Sequence, residues 1–272
     1  KIASLGNQMD IDASDLLGEL RDDPYTKVVM LYLETIGEGQ SFFKQVSELT
    51  KTKPVVVVKS GRSSAGAAAA SSHTGSIAGS DAAIEALLEK AGAIRVETLE
   101  MAYLTAMSLS KSRTFTGKRV GVVTNAGGPG ILITDRLAMH GFELPLLPGT
   151  TRDALASVLF PEASTANPID LVAPAPPEHY AKALETMAES GLYDALAVIC
   201  VPPATIDTGK IAEALVPVVK AFDLPAICCF IGPTLGAAAR KVLNQHQIPC
   251  LEFPENVADV LKAMSVKAGG LE

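Results

Sequence analysis

Positive charge is scarce in this chain. Lysine and arginine number 23 against 30 aspartates and glutamates, a net charge of -7, and such a balance argues against a nucleic-acid partner. No apolar run approaches the roughly 18 residues that a membrane-spanning helix needs, so no membrane partner is expected. The first half has no cysteine. The four present, Cys200, Cys228, Cys229 and Cys250, show no metal-ligand spacing, and no metal site is expected. They read as buried free thiols in a reducing cytoplasm. HExxH, GxSxG and paired-cysteine motifs are all missing. His140, His179 and His246 stand at or near predicted helix ends without partner spacing and read as surface residues. No signal-peptide pattern is visible, and the start at Lys1 without Met reads as an excision from a longer chain.

What remains is the composition of an ordinary globular protein: 272 residues, 48% hydrophobic and 19% charged, long enough for two cores. β-Branched runs alternate with amphipathic or alanine-rich segments. Strands are predicted at Lys1–Leu5, Lys27–Leu33, Pro54–Val58 and Ile94–Val96, then at Arg119–Thr124, Ile169–Leu171, Ala195–Val201, Ala226–Ile231 and Cys250–Phe253. Helical patterns lie between them. Runs such as VVVV are apolar on both faces, which suits central parallel strands. The polar link Ser110–Lys118 predicts a domain boundary, giving domains over residues 1–113 and 117–272. The fold class is α/β, two doubly wound parallel-sheet domains, with ligands expected beyond the carboxyl ends of the strands.

One segment stands apart. From Ser60 to Ala83 the sequence is SGRSSAGAAAASSHTGSIAGSDAA, where only Arg62, His73, Ile77 and Asp81 carry a large or charged side chain. Such a run costs backbone entropy and offers little to a core, so it suits a place where backbone approaches a ligand or another chain. His73 is its one nucleophilic nitrogen. The segment leaves a strand at its carboxyl end and closes on a helix with Ser80 at the N-cap and Asp81 in the first turn. Free N–H groups there can hold a phosphate. The pattern alone also fits a flexible connection carrying a solvated histidine.

Two phosphate motifs fail. Gly61–Gly66 has P-loop spacing, but Ala67 and Ala68 replace Lys and Ser/Thr. NAGGPG, from Asn125 to Gly130, looks like a dinucleotide fingerprint until Ile133 replaces the third glycine. Its glycine turn can still receive a phosphate or serve as a tight strand–helix turn. Glu34 ends an apolar strand, where it could accept from one ring nitrogen of His73 and leave the other nucleophilic; an exposed loop acid would look the same. NPID, from Asn167 to Asp170, reads as a structural turn.

Taken together, these segments resemble the NDP-forming acyl-CoA synthetases of the succinyl-CoA synthetase superfamily. The resemblance rests on SLGNQMDIDASDLL, YLETI, the KPVVVVKSGRSS…SSHTGSIAGSDAA stretch, AGAIRVETLEM, VGVVTNAGGPGILITD and NPIDL. It covers nearly the whole chain. It implies two flavodoxin-like ligase domains, with His73 accepting a phosphoryl group from an acyl phosphate and passing it to a nucleoside diphosphate while Glu34 orients the ring. Thr74, Gly75, Gly79, Ser80 and Asp81, with Asn125, Gly127, Gly128 and Gly130, are the candidate phosphate-binding positions. The family's CoA-binding Rossmann domain and ATP-grasp domain have no counterpart in the sequence. They are expected as partners, in the same chain or a separate subunit, together with a small carboxylic acid substrate. CoA, ATP or ADP and Mg belong to the complete enzyme; this chain is expected to bind no cofactor and to be inactive alone. A regulatory module of a lysine acetyltransferase, or a relay-dead binding scaffold, is the alternative; retention of His73 and Glu34 favours the ligase.

Overall fold

A strand with no polar face belongs inside a sheet. Val55–Lys59 is buried at every position and pairs in parallel with Val29–Leu33 on one side and Ile94–Val96 on the other. The computed structural model describes residues 1–6, 10–66, 80–203 and 206–265. They fall into two compact units divided between Ser110 and Lys111.

In the first unit the described elements run α1 (Ala13–Asp22), β1 (Val29–Leu33), α2 (Gly39–Thr50), β2 (Val55–Lys59), α3 (Asp81–Lys90), β3 (Ile94–Val96) and α4 (Leu99–Lys111). The sheet order is β1-β2-β3, all parallel. Helix α1 starts where a capping box dictates: the Asp12 carboxylate accepts from the Ser14 and Asp15 N–H groups, and Asp15 accepts from the Asp12 N–H. Helix α2 buries Phe42, Val46 and Leu49, a stripe at i, i+4 and i+7. This stripe joins Leu17, Val55, Val57 and Leu88 in one core.

The second unit runs β4 (Val120–Thr124), α5 (Gly127–Met139), α6 (Gly149–Ala156), β5 (Ile169–Asp170), α7 (Pro177–Glu189), β6 (Ala195–Cys200), α8 (Thr208–Ala221), β7 (Ala226–Phe230), α9 (Ala237–Gln245), β8 (Cys250–Leu251) and α10 (Pro254–Met264). Its five parallel strands lie in the order β5-β4-β6-β7-β8. Counted from β4, this is the flavodoxin order 2-1-3-4-5, whose switch point lies between the first and third strands, β4 and β6. Gly121 in β4 is a packing glycine: a Cβ there would come within 2.7 Å of a Leu196 methyl and 2.9 Å of the Met187 sulfur. Asn167, in the predicted structural turn, donates to the carbonyls of Val120 and Pro145 and accepts from the Val122 N–H. The thiols of Cys200, Cys228 and Cys229 are buried and that of Cys250 is half-buried; all four are free. Burial pushes Cys200 up to about 11 and Cys250 up to about 12.

One expected strand is not there. Lys1–Leu5 enters no ladder, and Ile2 is fully exposed. Its two large apolar residues, Ile2 and Leu5, are three apart, so a strand would turn them to opposite faces and neither face could be buried. Among the described residues no helix is long and apolar enough to cross a membrane.

Candidate functional site

The carboxyl edge of the first sheet is where two parallel strands stop pairing and their chains diverge. The last ladder pair is Leu33 with Lys59. Just beyond it, the Ser60 N–H and hydroxyl both donate to the Leu33 carbonyl, at 3.0 and 3.3 Å. Lys59 is buried, and its ammonium donates to the carbonyl of Glu34 at 2.7 Å and to that of Ser60. Glu34 is thus placed at this edge by β1 and held there through its own backbone.

Two arginines complete the edge. Arg95 on β3 has a side chain only 6% exposed; its guanidinium pairs with Asp81 and Glu85. Arg62, three residues beyond β2, reaches Asp81 and Glu97, each at 3.4 Å. Ser80 is the N-cap of α3, but its side chain makes no capping bond. The negative group at this helix start is instead the Asp81 carboxylate, favourable to the dipole and engaged by both arginines. The hydrogen bond from Arg95 holds the Asp81 carboxyl below its ordinary range. Burial alone would lower Arg95, yet its bonds to Asp81 and Glu85 leave it raised. Desolvation lowers the Lys59 ammonium and Arg95 adds repulsion, while Asp81 and Glu34 pull the other way. Strand ends and a helix start therefore gather Glu34, Lys59, Arg62, Asp81 and Arg95 at one edge. His73, Thr74, Gly75 and Gly79 lie outside the described residues.

The second unit presents its own turn at the switch point. Asn125 follows β4, Ala126 is the N-cap and α5 opens at Gly127, so Gly127, Gly128 and Gly130 lie within the first turns of the helix rather than before it. Their roles separate. A Cβ on Gly130 would press on the Thr124 methyl at 3.2 Å, so this glycine lets the helix pack on its strand. A Cβ on Gly128 would meet nothing within 4 Å, so its backbone faces open space. Ala126 has no side-chain cap, and Pro129 supplies no N–H. Asn125 is not available as a ligand-binding side chain. It is buried, its amide donates to the Val201 carbonyl at 2.9 Å, and its oxygen accepts from the Val201 N–H at 2.8 Å. The side chain thus staples the ends of β4 and β6 together. Asp170 flanks Gly127, with Oδ2 3.6 Å from a Cβ built there. Its Oδ1 accepts from the N–H of Val172, a β-branched residue at φ 62°. A left-handed conformation in such a residue costs about 1–3 kcal/mol, and nothing in the sequence signals it.

The residues missed by sequence reasoning are Lys59 and Arg95. Each had a faint signal: a lysine closing an all-valine strand, and an arginine between Ile94 and Val96 on a strand of three. A charge where the pattern asks for an apolar side chain marks a buried polar group with an assigned partner.

Comparisons with known proteins give the chain its family. The succinyl-CoA ligase-like flavodoxin domain matches residues 1–109, and the Ligase-CoA domain matches residues 120–267. The alpha subunit of the ADP-forming acetate–CoA ligase II of Pyrococcus furiosus is 35% identical over 98% of this chain and 59% of its own length. The ADP-forming 4-hydroxybutyrate–CoA ligase of Nitrosopumilus maritimus is 33% identical over 97% of this chain and 38% of its own length. Among solved structures, acetyl-coenzyme A synthetase 1 of Ca. Korarchaeum cryptofilum, in complex with phosphate and ADP, superposes with a TM-score of 0.89 at 34% identity, covering 97% of this chain and 57% of that one. The chain thus spans less than two thirds of the length of each of these relatives. The chain belongs to the Ligase-CoA family, carrying a succinyl-CoA ligase-like flavodoxin domain followed by a Ligase-CoA domain, and it is similar over nearly its whole length to part of these ADP-forming ligases.

Proposed function

We propose that this chain is the phosphoryl-relay core of an enzyme that converts a small carboxylic acid, CoA and ATP into acyl-CoA, ADP and phosphate. The observation that carries the reading is the carboxyl edge of the first sheet. Glu34 stands there on a strand end, among Lys59, Arg62 and Arg95, where the segment bearing His73 leaves β2 and rejoins the chain at α3.

The chemistry proceeds in balanced steps. A ring nitrogen of His73 attacks the γ-phosphorus of ATP; a P–N bond forms, the P–O bond breaks and ADP leaves. A carboxylate oxygen of the acid then takes the phosphoryl group, giving an acyl phosphate and free His73. The CoA thiolate attacks the acyl carbon and releases phosphate. The covalent histidine divides one difficult transfer into easier ones. Positioning and charge neutralisation do most of the remaining work. Arg62, the exposed cation at the edge of the first unit, and, separately, the N–H groups of Gly127 and Gly128 in the second can provide the latter. Inorganic phosphate is assigned to the N–H groups at the start of α3, next to the His73 segment, where it competes with the Asp81 carboxylate for the helix end and the arginines, with Gly127–Gly128 as the second place. The CoA-binding and ATP-grasp parts are supplied by the same chain or by a separate subunit, and a cytoplasmic location fits the free thiols.

In the full-length protein, His73→Ala should abolish both acyl-CoA formation and acid-labile phosphorylation from labelled ATP. Glu34→Gln should slow labelling less completely, because it removes orientation but not the nucleophile. Undiminished labelling of His73→Ala would overturn the assignment.

A further inference from the structure

The structure contains an expense that the fold does not need. Lys59 ends a strand whose other residues are all valine, and it is itself only 5% exposed. A buried ammonium is costly unless it is paired and hydrogen-bonded. A methionine would fill the same space without that cost. Yet the ammonium is spent on two backbone carbonyls, one on each side of the fork where β1 and β2 diverge: Glu34 on the first, Ser60 on the second.

We propose that Lys59 is a positioning residue that acts through Glu34. The last backbone bond between the two strands among the described residues runs from the Ser60 N–H to the Leu33 carbonyl, and beyond it the chains diverge and leave a gap. The ammonium bridges that gap. Ser60 reinforces it from the same dipeptide, with its N–H and hydroxyl on the Leu33 carbonyl. The result is a three-bond splint between the ends of β1 and β2, with the ammonium steadied by a fourth bond to the carbonyl of its own neighbour Ser60. It holds the carboxylate-bearing residue at a set distance from the point where the His73 segment begins. The charged groups around the ammonium are Arg95 from β3, Asp81 from α3 and Glu34 itself. Arg95 is already committed to Asp81 and Glu85, so it cannot take over the carbonyls if Lys59 is lost.

This inference rests on the relay function proposed above, and a double-mutant cycle in the full-length protein separates the two. Acid-labile phosphorylation is followed in the wild type, Lys59→Met, Glu34→Gln and the double variant, with His73→Ala as control. Two charge-assisted hydrogen bonds correspond to a loss of about ten- to a hundredfold in rate for Lys59→Met. In the Glu34→Gln background the same substitution should cost less than about threefold, because the group being positioned is already gone. Lys59→Arg should recover part of the rate by keeping a charged donor. If Lys59→Met fails to fold, as judged by thermal melting, the cycle is run with Lys59→Gln, which retains a donor for one carbonyl. An equal loss in both backgrounds, or no loss at all, would overturn the positioning role. Labelling that survives His73→Ala would instead overturn the relay reading on which it depends.

Discussion

Asp194 shows how one carboxylate can set the start of a sheet. It stands immediately before β6 and accepts from the Arg119 N–H at 2.8 Å, from Nε at 3.1 Å and from a terminal guanidinium nitrogen at 2.7 Å. β4 and β6 are thereby joined before their ladder begins at Val120 and Ala195. The Arg119 hydrogen bond holds the Asp194 carboxyl below its ordinary range. The folded state therefore binds this proton less readily than the unfolded chain. The linked stability is fully present above the unfolded carboxylate value, near 4, and is lost as pH falls through the lower folded value. Asp194→Asn should cost about 1.5–3 kcal/mol at neutral pH, the range for hydrogen bonds to a charged group. The gap to wild type should close as urea melts are repeated at progressively lower pH below 4 (~4 being the model carboxylate value). A gap that stayed constant down to acid pH would mean that shape, not charge, is what Asn fails to supply.

At the scale of the element, helix α5 carries two glycines with opposite assignments. Gly130→Ala places a methyl 3.2 Å from the Thr124 methyl, against a strand that is buried throughout. It should destabilise the second unit by about 1–3 kcal/mol through overpacking. Gly128→Ala meets nothing and should stabilise the helix by up to about 1 kcal/mol. If a phosphoryl group approaches the backbone there, the same methyl should also slow transfer in the full-length enzyme. Melting temperatures and labelling rates measured on both variants would show whether stability and rate move in opposite directions at Gly128; a faster or unchanged rate would remove Gly128 from the site.

These helices and strands were largely legible, because burial imposes a period that the sequence must obey. Val55–Lys59 and Ala195–Cys200 are buried at every position, and Val55–Val58 and Ala195–Cys200 stand out as unbroken apolar runs. Amphipathic helices such as α7 repeat their buried residues at Tyr180, Leu184 and Met187. Less legible was anything set by partners distant in sequence. Asn125 looked like part of a ligand-binding turn, but Val201, just past the end of β6, engages its side chain. Lys59 closed a strand run without any hint that the Glu34 carbonyl was its acceptor. Lys1–Leu5 looked β-branched enough for a strand, yet offers no face to bury.

For the whole molecule, charge and length decide what the chain can do alone. CoA, ATP and phosphate are anions, and a chain with a net charge of -7 offers them no long-range attraction. On the proposed reading, binding must come from local groups: Arg62 at the sheet edge in one unit and the uncapped N–H groups at the start of α5 in the other. Such sites serve a phosphoryl group in transit, and the places for nucleotide and CoA are supplied by the other parts of the enzyme. The relatives the chain matches are much longer, 59% and 38% of their lengths being covered. The 272-residue chain should therefore fold and bind inorganic phosphate modestly, yet form no acyl-CoA from acid, CoA and ATP. Titration with phosphate, followed by amide chemical shifts, should perturb Ser80 and Asp81 first and the Gly127–Gly128 turn second. Shifts confined to other regions would contradict both placements. Turnover by the isolated chain would mean that the nucleotide and CoA sites lie within it, and the division of labour proposed here would fall.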